Sequence, residues 1–387
     1  MKLLIHDYSE EEWNKVASKY SDWKVISDSG KISPCVGCFG CWIKEPGECV
    51  IKDGYERVAA LFHGAEEITV ISRYTYGGFS SFVKNVFDRV IGFVLPFFEV
   101  YEGEMHHKKR YDKDAVIKFV FRGTGLTESD KDKARQYVEA VCRNFHGEIT
   151  GIEFEEIEKE AESAEVGAAD WDTSDKVVLL NCSLRGNNAN SLKFLTKLSE
   201  KIEGEKEILN LVSYNGREEE LLDKLRSARK LVLGMPLYVD GIPSSTLRLM
   251  EKLEKCAKGK DKKIYVVANM GMYESSQLKN LMSMVKDWCG KCGYEYCGGI
   301  AIGAGEMMGA MMKSADIRKG PTRNIALGLD ELAKAIGSSS RIEDIFADAY
   351  KFPRAMYMLV ANSFWPRRGK QNGLKKKDLM RSITRHE

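Results

Sequence analysis

Four cysteines lie close together near the start of this 387-residue chain. They are separated by two, two and seven residues, and they are Cys35, Cys38, Cys41 and Cys49. Cysteine thiolates are the usual ligands of a [4Fe–4S] cluster, and a tetrahedron of sulfur atoms also suits zinc. The glycines and the proline between them permit turns sharp enough to aim four sulfurs at one centre. The spacing leaves three alternatives open: an iron–sulfur cluster, a zinc site, and a structural or redox-active thiol loop.

The second half contains a loop of the type that holds a phosphate group. Residues 177–180 form an apolar run typical of a buried strand, and apolar side chains recur at helical spacing over 192–198. The hydroxyls, amides and charge between them that we predict to contact an anion are Ser183, Arg185, Asn188, Asn190 and Ser191. The free N–H groups and the dipole of the following helix favour an anion there. The alternative is an N-capped helix after an ordinary strand.

The loop also indicates which phosphate it suits. It lacks the Gly-Lys-Ser/Thr ending of a nucleotide triphosphatase loop, which disfavours ATP. A terminal monophosphate, as in FMN, fits better.

The chain also reads as two similar halves. Residues 71–81 and 233–245 each follow a predicted strand and run into a helix, and one constant offset aligns Tyr74 with Tyr238. Further strands, glycine loops and amphipathic helices follow in the same order in both halves. This shared order indicates a duplication, and the alternation of strands with helices predicts parallel sheets covered on both faces.

We therefore predict an α/β protein with two tandem doubly wound parallel sheets and a helical, basic C-terminal tail. The predicted domains are residues 1–160, residues 161–335 and a helical extension over 336–387. The stretch 152–175 is acidic and weakly periodic, so we place the boundary there. Residues 342–364 are apolar and helix-like, and the last two dozen residues carry eight Lys or Arg. We interpret this tail as a solvated basic helix rather than as a nucleic-acid site.

Composition excludes several classes of function. A formal net charge of +2 provides no strong field for nucleic acid or for a membrane surface. The most apolar stretch, 90–100, contains Pro96 and is too short to span a bilayer. The N-terminus turns polar by residue six, unlike a signal peptide, and ten cysteines in a chain of this size do not suggest a secreted disulfide scaffold. We expect a cytoplasmic protein without a membrane span.

Taken together, the loops of the second half resemble the NADPH-dependent FMN reductase and iron–sulfur flavoprotein family, which has the flavodoxin-like fold. Residues 183–191 are similar to that family's phosphate loop, 236–243 to its second flavin loop and 269–274 to its third. The resemblance implies that the first loop holds the FMN phosphate and that the other two frame the isoalloxazine. The residues so implied in the second and third loops are Pro236, Leu237, Tyr238, Val239, Asp240, Asn269, Gly271, Tyr273 and Glu274.

The first half resembles the same family in a different way. The cysteine loop matches the compact cysteine motif of iron–sulfur flavoproteins, and residues 72–81 match the second flavin loop. The first loop departs from the pattern, because Glu10, Glu11 and Glu12 would repel a phosphate. We interpret these glutamates as a complement to the helix dipole, with Ser9 and Glu12 forming a capping box. We therefore predict that the first half holds no FMN phosphate.

Other motifs are weaker. His106 and His107 stand in a stretch that reads as a polar loop without a partner for a catalytic dyad. The glycine loop over 302–306 lacks the full dinucleotide fingerprint, and the pattern predicts no helix directly after it.

The function that these expectations favour is an FMN-dependent oxidoreductase that passes electrons from NAD(P)H through the flavin to an unidentified small-molecule or protein acceptor. A flavin carries its own chemistry, so no catalytic side chain is predicted. The alternative is a non-enzymatic flavin or iron–sulfur electron carrier, or a flavin-binding interaction module. The resemblance also implies a homo-oligomer.

Overall fold

The computed structural model describes residues 1–158, 175–257, 261–313 and 316–383. The chain divides into two compact units, the first formed by Met1–Glu160 with Met358–Glu387 and the second by Ala161–Tyr357.

The elements of the first unit up to residue 156 are β1 (Lys2–His6), α1 (Glu10–Val16), β2 (Lys24–Ser27), α2 (Gly40–Ile43), α3 (Val58–Gly64), β3 (Glu67–Arg73), α4 (Ser81–Arg89), β4 (Val94–Tyr101), β5 (Glu104–Lys109), β6 (Val116–Gly123), α5 (Glu128–Phe145) and β7 (Glu148–Glu156).

The elements that follow are β8 (Val177–Asn181), α6 (Asn190–Ser199), β9 (Lys206–Asn210), α7 (Glu218–Ser227), β10 (Lys230–Pro236), α8 (Ser244–Ala257), β11 (Lys263–Asn269), α9 (Lys279–Cys292), β12 (Glu295–Ile302), α10 (Gly305–Met311), α11 (Arg323–Ser338), β13 (Ile345–Ala347), α12 (Arg354–Gln371) and α13 (Lys376–Leu379).

The first unit is built on a parallel sheet with the strand order β2-β1-β3-β6-β7. This order is that of the flavodoxin-like doubly wound fold. Its central strands are rich in β-branched and aromatic residues, and Leu3, Leu4 and Ile5 of β1 are fully buried, as expected for strands covered on both faces. The strands β4 and β5 form a separate antiparallel hairpin.

The second unit repeats this order and adds one strand at the edge. Its sheet reads β9-β8-β10-β11-β12-β13, and each pair of neighbours is parallel. All five residues of β8 are buried. Helix α6 packs closely on this sheet, since a Cβ on Gly234 of β10 would lie 2.4 Å from the Leu195 side chain. The predicted fold class is therefore confirmed, whereas its origin by duplication stays a prediction.

Three local expectations are wrong. The tail does not become helical at residue 342, because β13 pairs with β12 first and α12 begins only at Arg354, after Pro353. His106 and His107 lie in β5 and are buried, so they are not in a polar loop. Helix α10 begins at Gly305, within the glycine loop over 302–306, although the sequence pattern predicts no helix there.

Within the described residues, no helix is long and apolar enough to cross a membrane.

Candidate functional site

The loop after β8 is organised by Asn181, the last residue of that strand. Its fully buried side chain accepts hydrogen bonds from the Ser191 hydroxyl at 2.8 Å and from the Ser183 backbone N–H at 3.3 Å. The same side chain donates to the Gly186 carbonyl at 3.3 Å and to the Asn210 side chain at 2.8 Å. One amide therefore fixes the start of the loop, the start of α6 and the end of the neighbouring β9.

This arrangement decides what the predicted phosphate contacts do. The Ser191 hydroxyl donates inward to Asn181, and the Ser183 hydroxyl accepts from the Arg185 backbone N–H at 3.3 Å. Asn190 accepts from Lys193 at 2.7 Å, whereas Asn188 is exposed. Three of the five predicted residues therefore lie in the loop, and Asn190 and Ser191 lie in the first turn of α6. Both hydroxyls form hydrogen bonds within this segment rather than extend from it.

The charge of the loop is shared with a residue that sequence reasoning missed. The Arg185 guanidinium donates to the Glu306 carboxylate at 2.7 Å, across 121 residues of sequence. Burial lowers the pKa of the nearby Lys193. The negative charge of Glu306 raises this pKa, whereas the positive charge of Arg185 lowers it. The loop after β8 and the helix after β12 therefore meet in a small charged cluster that includes Arg185, Lys193 and Glu306.

The first turn of α6 is open to an anion. The residue at its N-cap is Ala189, which has no side-chain oxygen to accept from the N–H groups of that turn. The corresponding helix of the first unit is closed. Ser9 caps α1 in a capping box with Glu12, as predicted, and the Glu12 carboxylate also accepts from Arg122.

The second predicted loop contains a tight turn with an unusual backbone. Tyr238 and Gly241 exchange two backbone hydrogen bonds of 3.2 and 3.0 Å. The two residues between them, Val239 and Asp240, have φ angles of 40° and 56°. A β-branched residue with positive φ is strained, and such strain concentrates at ligand-binding sites. Leu237 is held by its N–H, which donates to the Asn269 carbonyl at 2.8 Å, and Pro236 ends β10.

The first unit has the same turn, one residue away from where the sequence alignment placed it. There Thr75 and Gly78 exchange the two backbone hydrogen bonds, and Tyr76 and Gly77 have positive φ. Thr75, and not Tyr74, is therefore the counterpart of Tyr238. Matching Tyr74 with Tyr238 gives a register that is wrong by one residue, because the hydrogen-bond pattern pairs Thr75 with Tyr238.

The third predicted loop is held by hydrogen bonds to the first turn of α12 and to Phe352 just before it. The Tyr357 hydroxyl donates to the Gly271 carbonyl at 2.5 Å, and the Tyr273 hydroxyl donates to the Phe352 carbonyl at 2.5 Å. Glu274 accepts from Arg354 at 2.8 Å. The Asn269 side chain instead donates to the Met235 carbonyl at 3.2 Å and so joins β11 to β10.

Sequence reasoning missed Asn181, Glu306 and Tyr357. The signal for Asn181 was available, since an amide that ends a fully apolar strand needs buried partners. Glu306 and Tyr357 left no such signal, because both are distant in sequence from the loops that they contact.

The four cysteines of the loop in the first unit are near enough to influence one another's ionisation. Cys41 interacts electrostatically with Cys35, Cys49 and Cys38, and burial raises its pKa. Burial also raises the pKa of Cys35 to about 12, with Asp88 adding to the shift and the Gly37 N–H opposing it. The Gly40 N–H donates to the Cys38 sulfur at 3.3 Å. Backbone donors of this kind stabilise thiolate sulfur and are one of the means by which proteins tune iron–sulfur centres.

Charged side chains surround this loop. Arg89 forms two hydrogen bonds with Asp53, of 2.8 and 3.0 Å, and Arg110 donates to the Gly92 carbonyl at 2.7 Å. Burial lowers the pKa of Arg110 to about 10, and the neighbouring Tyr111 and Cys41 oppose that shift. Within the described residues, no group of three or more His, Cys, Asp or Glu is arranged to hold a metal ion.

The histidines of β5 are buried among other side chains. His106 contacts the Asn144 side chain at 3.3 Å, and the ring of His107 lies 4.6 Å from that of Trp42. Burial lowers the pKa of His107 to about 3, so this ring is neutral at physiological pH.

Comparison with known proteins gives a limited result. No family model matches the chain, and no curated protein matches it either. Among solved structures, an azoreductase from Bacillus anthracis str. Sterne matches with a TM-score of 0.32 and 17% identity, over 42% of this chain and 99% of the azoreductase. An FMN-dependent NADH-azoreductase from Bacillus anthracis str. Ames Ancestor, in complex with FMN, matches with a TM-score of 0.29 and 14% identity, over 42% and 99%. An NAD(P)H:quinone oxidoreductase from Methanothermobacter marburgensis matches with a TM-score of 0.32 and 14% identity, over 43% and 97%.

Proposed function

We propose that this protein is an FMN-dependent oxidoreductase that takes electrons from NAD(P)H and passes them to a small-molecule or protein acceptor. The second unit holds the FMN, with its phosphate at the start of α6. The observation that carries this assignment is the contrast between two helices. The first turn of α6 has no side-chain cap and lies beside Arg185, whereas α1 is closed by the capping box of Ser9 and Glu12.

The residues present fit a monophosphate. Unsatisfied N–H groups at a helix N-terminus bind phosphate oxygens, and Arg185 adds a charge-assisted donor. The phosphate competes with Glu306 for that donor. When bound, FMN supplies the hydride and electron transfer chemistry.

The remaining loops orient the flavin. The strained turn at Val239 and Asp240 and the loop from Asn269 to Glu274 follow β10 and β11. In doubly wound sheets, ligands bind beyond the carboxyl ends of the strands, which is where both loops lie. The residues assigned to cofactor binding are Ser183, Arg185, Asn188, Asn190, Ser191, Pro236, Leu237, Tyr238, Val239, Asp240, Asn269, Gly271, Tyr273 and Glu274.

An absorption spectrum of protein purified without oxygen tests this function. Flavin bands, together with oxidation of NADPH or NADH that depends on added FMN, are expected. Bound flavin without such turnover would favour the alternative of an electron carrier. A protein that neither retains nor binds FMN would refute the proposal.

A second proposal concerns the cysteine loop. Cys35, Cys38, Cys41 and Cys49 lie within electrostatic range of one another, and the Cys38 sulfur accepts a backbone hydrogen bond. Four cysteine thiolates are the usual ligand set of a [4Fe–4S] cluster, and such a cluster would make this loop a one-electron centre. Analysis of iron and acid-labile sulfide in the same protein tests the assignment.

A further inference from the structure

A pocket of about 430 Å³ lies beside the cysteine loop in the first unit. Cys38, the exposed cysteine of the loop, lies on its wall. The loop also contributes the apolar side chains of Val36, Ile43 and Val50, and cations come from Lys44 and from Arg368 of α12. The volume is within the usual range for small-molecule sites, which combine apolar walls with a few convergent polar groups.

The wall of this pocket is preformed. A Cβ on Gly40 would lie 2.6 Å from Val50, so the loop is packed tightly against itself. The part of α12 that carries Arg368 is anchored by Trp365, which is buried with its ring 5.3 Å from Phe39 and 5.1 Å from Trp42. A ligand therefore needs little reorganisation of the protein to bind.

The charge of the pocket is not neutralised by any residue that the structure describes. Among the described residues, neither Lys44 nor Arg368 forms an ion pair, and Arg368 only lies over the Phe364 ring at 5.5 Å. The carboxylates nearest to Lys44 in sequence are engaged elsewhere, since Glu45 pairs with Lys52 at 2.8 Å and Glu48 pairs with Arg57 at 2.9 Å.

We propose that this pocket binds a small organic anion with an apolar body. Its carboxylate lies between Lys44 and Arg368, where a guanidinium can form two parallel hydrogen bonds with it. Its apolar body packs on Val36, Ile43 and Val50. Such a ligand covers Cys38.

Calorimetric titration of the protein as purified, with 4-nitrobenzoate and with the neutral 4-nitrobenzamide, tests this proposal. The two probes have nearly the same shape and differ in charge. The carboxylate is expected to bind at least tenfold more tightly than the amide, and added salt is expected to reduce the difference. The substitution Arg368→Gln is expected to abolish the preference, and Lys44→Gln, at an exposed position, to reduce it severalfold. Arg367→Gln changes the neighbouring cation of the same helix, which does not line the pocket, and is expected to leave the preference unchanged.

Three results overturn the proposal. These are failure of both probes to bind, equal binding of both, or a preference that survives Arg368→Gln and Lys44→Gln. The titration requires neither flavin nor NAD(P)H turnover, so its outcome is independent of the proposed enzymatic function.

Discussion

The Arg185 guanidinium donates to the Glu306 carboxylate at 2.7 Å, and this contact sets the charge available to the phosphate that we propose to bind at the start of α6. Both side chains are partly exposed, with 26% of Arg185 and 41% of Glu306 accessible. An exposed pair of this kind contributes only about 0–1 kcal/mol to stability. The pair is therefore easily exchanged for a contact between Arg185 and a ligand.

Replacing Glu306 by Gln is expected to tighten FMN binding by about three- to fivefold, which corresponds to somewhat less than 1 kcal/mol. The change frees Arg185 and removes a negative charge close to the phosphate. Arg185→Glu is expected to weaken FMN binding by about tenfold or more, because it replaces attraction by repulsion. Fluorescence titration of FMN measures both effects.

Riboflavin provides the control for this pair of variants, since it has the same ring system without the phosphate. Its affinity is expected to change little in either variant. Arg217→Glu, at an exposed cation of the same unit, controls for net charge. Unchanged FMN affinity in Arg185→Glu would show that the phosphate lies elsewhere.

At the start of α1 the first unit has the carboxylate of Glu12, whereas the start of α6 in the second unit has no side-chain cap. Glu12 accepts from Arg122 and from the Ser9 N–H, and Arg122 is 4% exposed. Glu12→Ala is expected to destabilise the protein by about 2 kcal/mol, because it leaves a buried guanidinium without its main partner. Glu155, 3.8 Å from Arg122, compensates in part. Urea denaturation measures the loss, and Glu11→Ala, at an exposed position of the same helix, is the control, with an expected change below about 0.5 kcal/mol.

Acid is expected to remove the stabilisation that the Glu12 carboxylate provides. Burial raises the pKa of Glu12, but the hydrogen bonds from Arg122 and Ser9 outweigh it and lower the pKa from 4.5 to about 2. A carboxyl with a lowered folded-state pKa stabilises the protein above its unfolded pKa, and the contribution is lost as pH falls through the folded value. The gap in unfolding free energy between the native protein and Glu12→Gln is expected to shrink as pH falls from about 4.5 towards 2. A gap that stays constant over this range would mean that the carboxylate charge is not its source.

The fold and the closed first loop were predictable because they depend on local signals. Alternating apolar strands and amphipathic helices determine a parallel doubly wound sheet, and Ser9 followed by Glu12 specifies a capping box. The C-terminal part was not predictable in this way. Residues 342–353 have an apolar pattern that also suits a helix, but Ile345–Ala347 instead forms a strand that pairs with the open edge of β12.

In the candidate site, too, some features depend on local signals and others on distant contacts. The positions of its loops follow from the order of strands, whereas its charge depends on Glu306 and its third loop on Tyr357. Both contacts span long stretches of chain, so periodicity and composition contain no information about them.

The closed start of α1 also predicts the stoichiometry. One FMN per chain is expected, because the N-terminal turn of α1 is occupied by Glu12 while that of α6 is open. Release of the flavin from a known amount of reconstituted protein and measurement of its absorbance give the ratio. Two FMN per chain would contradict the assignment of the first unit as a unit without a phosphate site.

The last prediction treats the four cysteines of the loop as one centre. In protein purified without oxygen, each single replacement by Ala at Cys35, Cys38, Cys41 or Cys49 is expected to remove iron, acid-labile sulfide and the broad visible absorbance to a similar extent. A cluster that lacks one thiolate is open to solvent and oxidation, which is why the four changes should be alike. FMN content is expected to stay constant, since we propose that the flavin binds to the second unit.

Cys142→Ala is the matched control, because Cys142 is a buried cysteine of the same unit outside the loop. It is expected to leave iron and sulfide unchanged. Zinc in place of iron would identify the loop as a structural tetrahedral site. Protein without either metal, in which the four replacements differ widely in their effect on stability, would identify a thiol loop held by packing. In that case each change removes a different set of contacts, so the loss would follow the burial of each cysteine, with Cys41 costing more than the exposed Cys38.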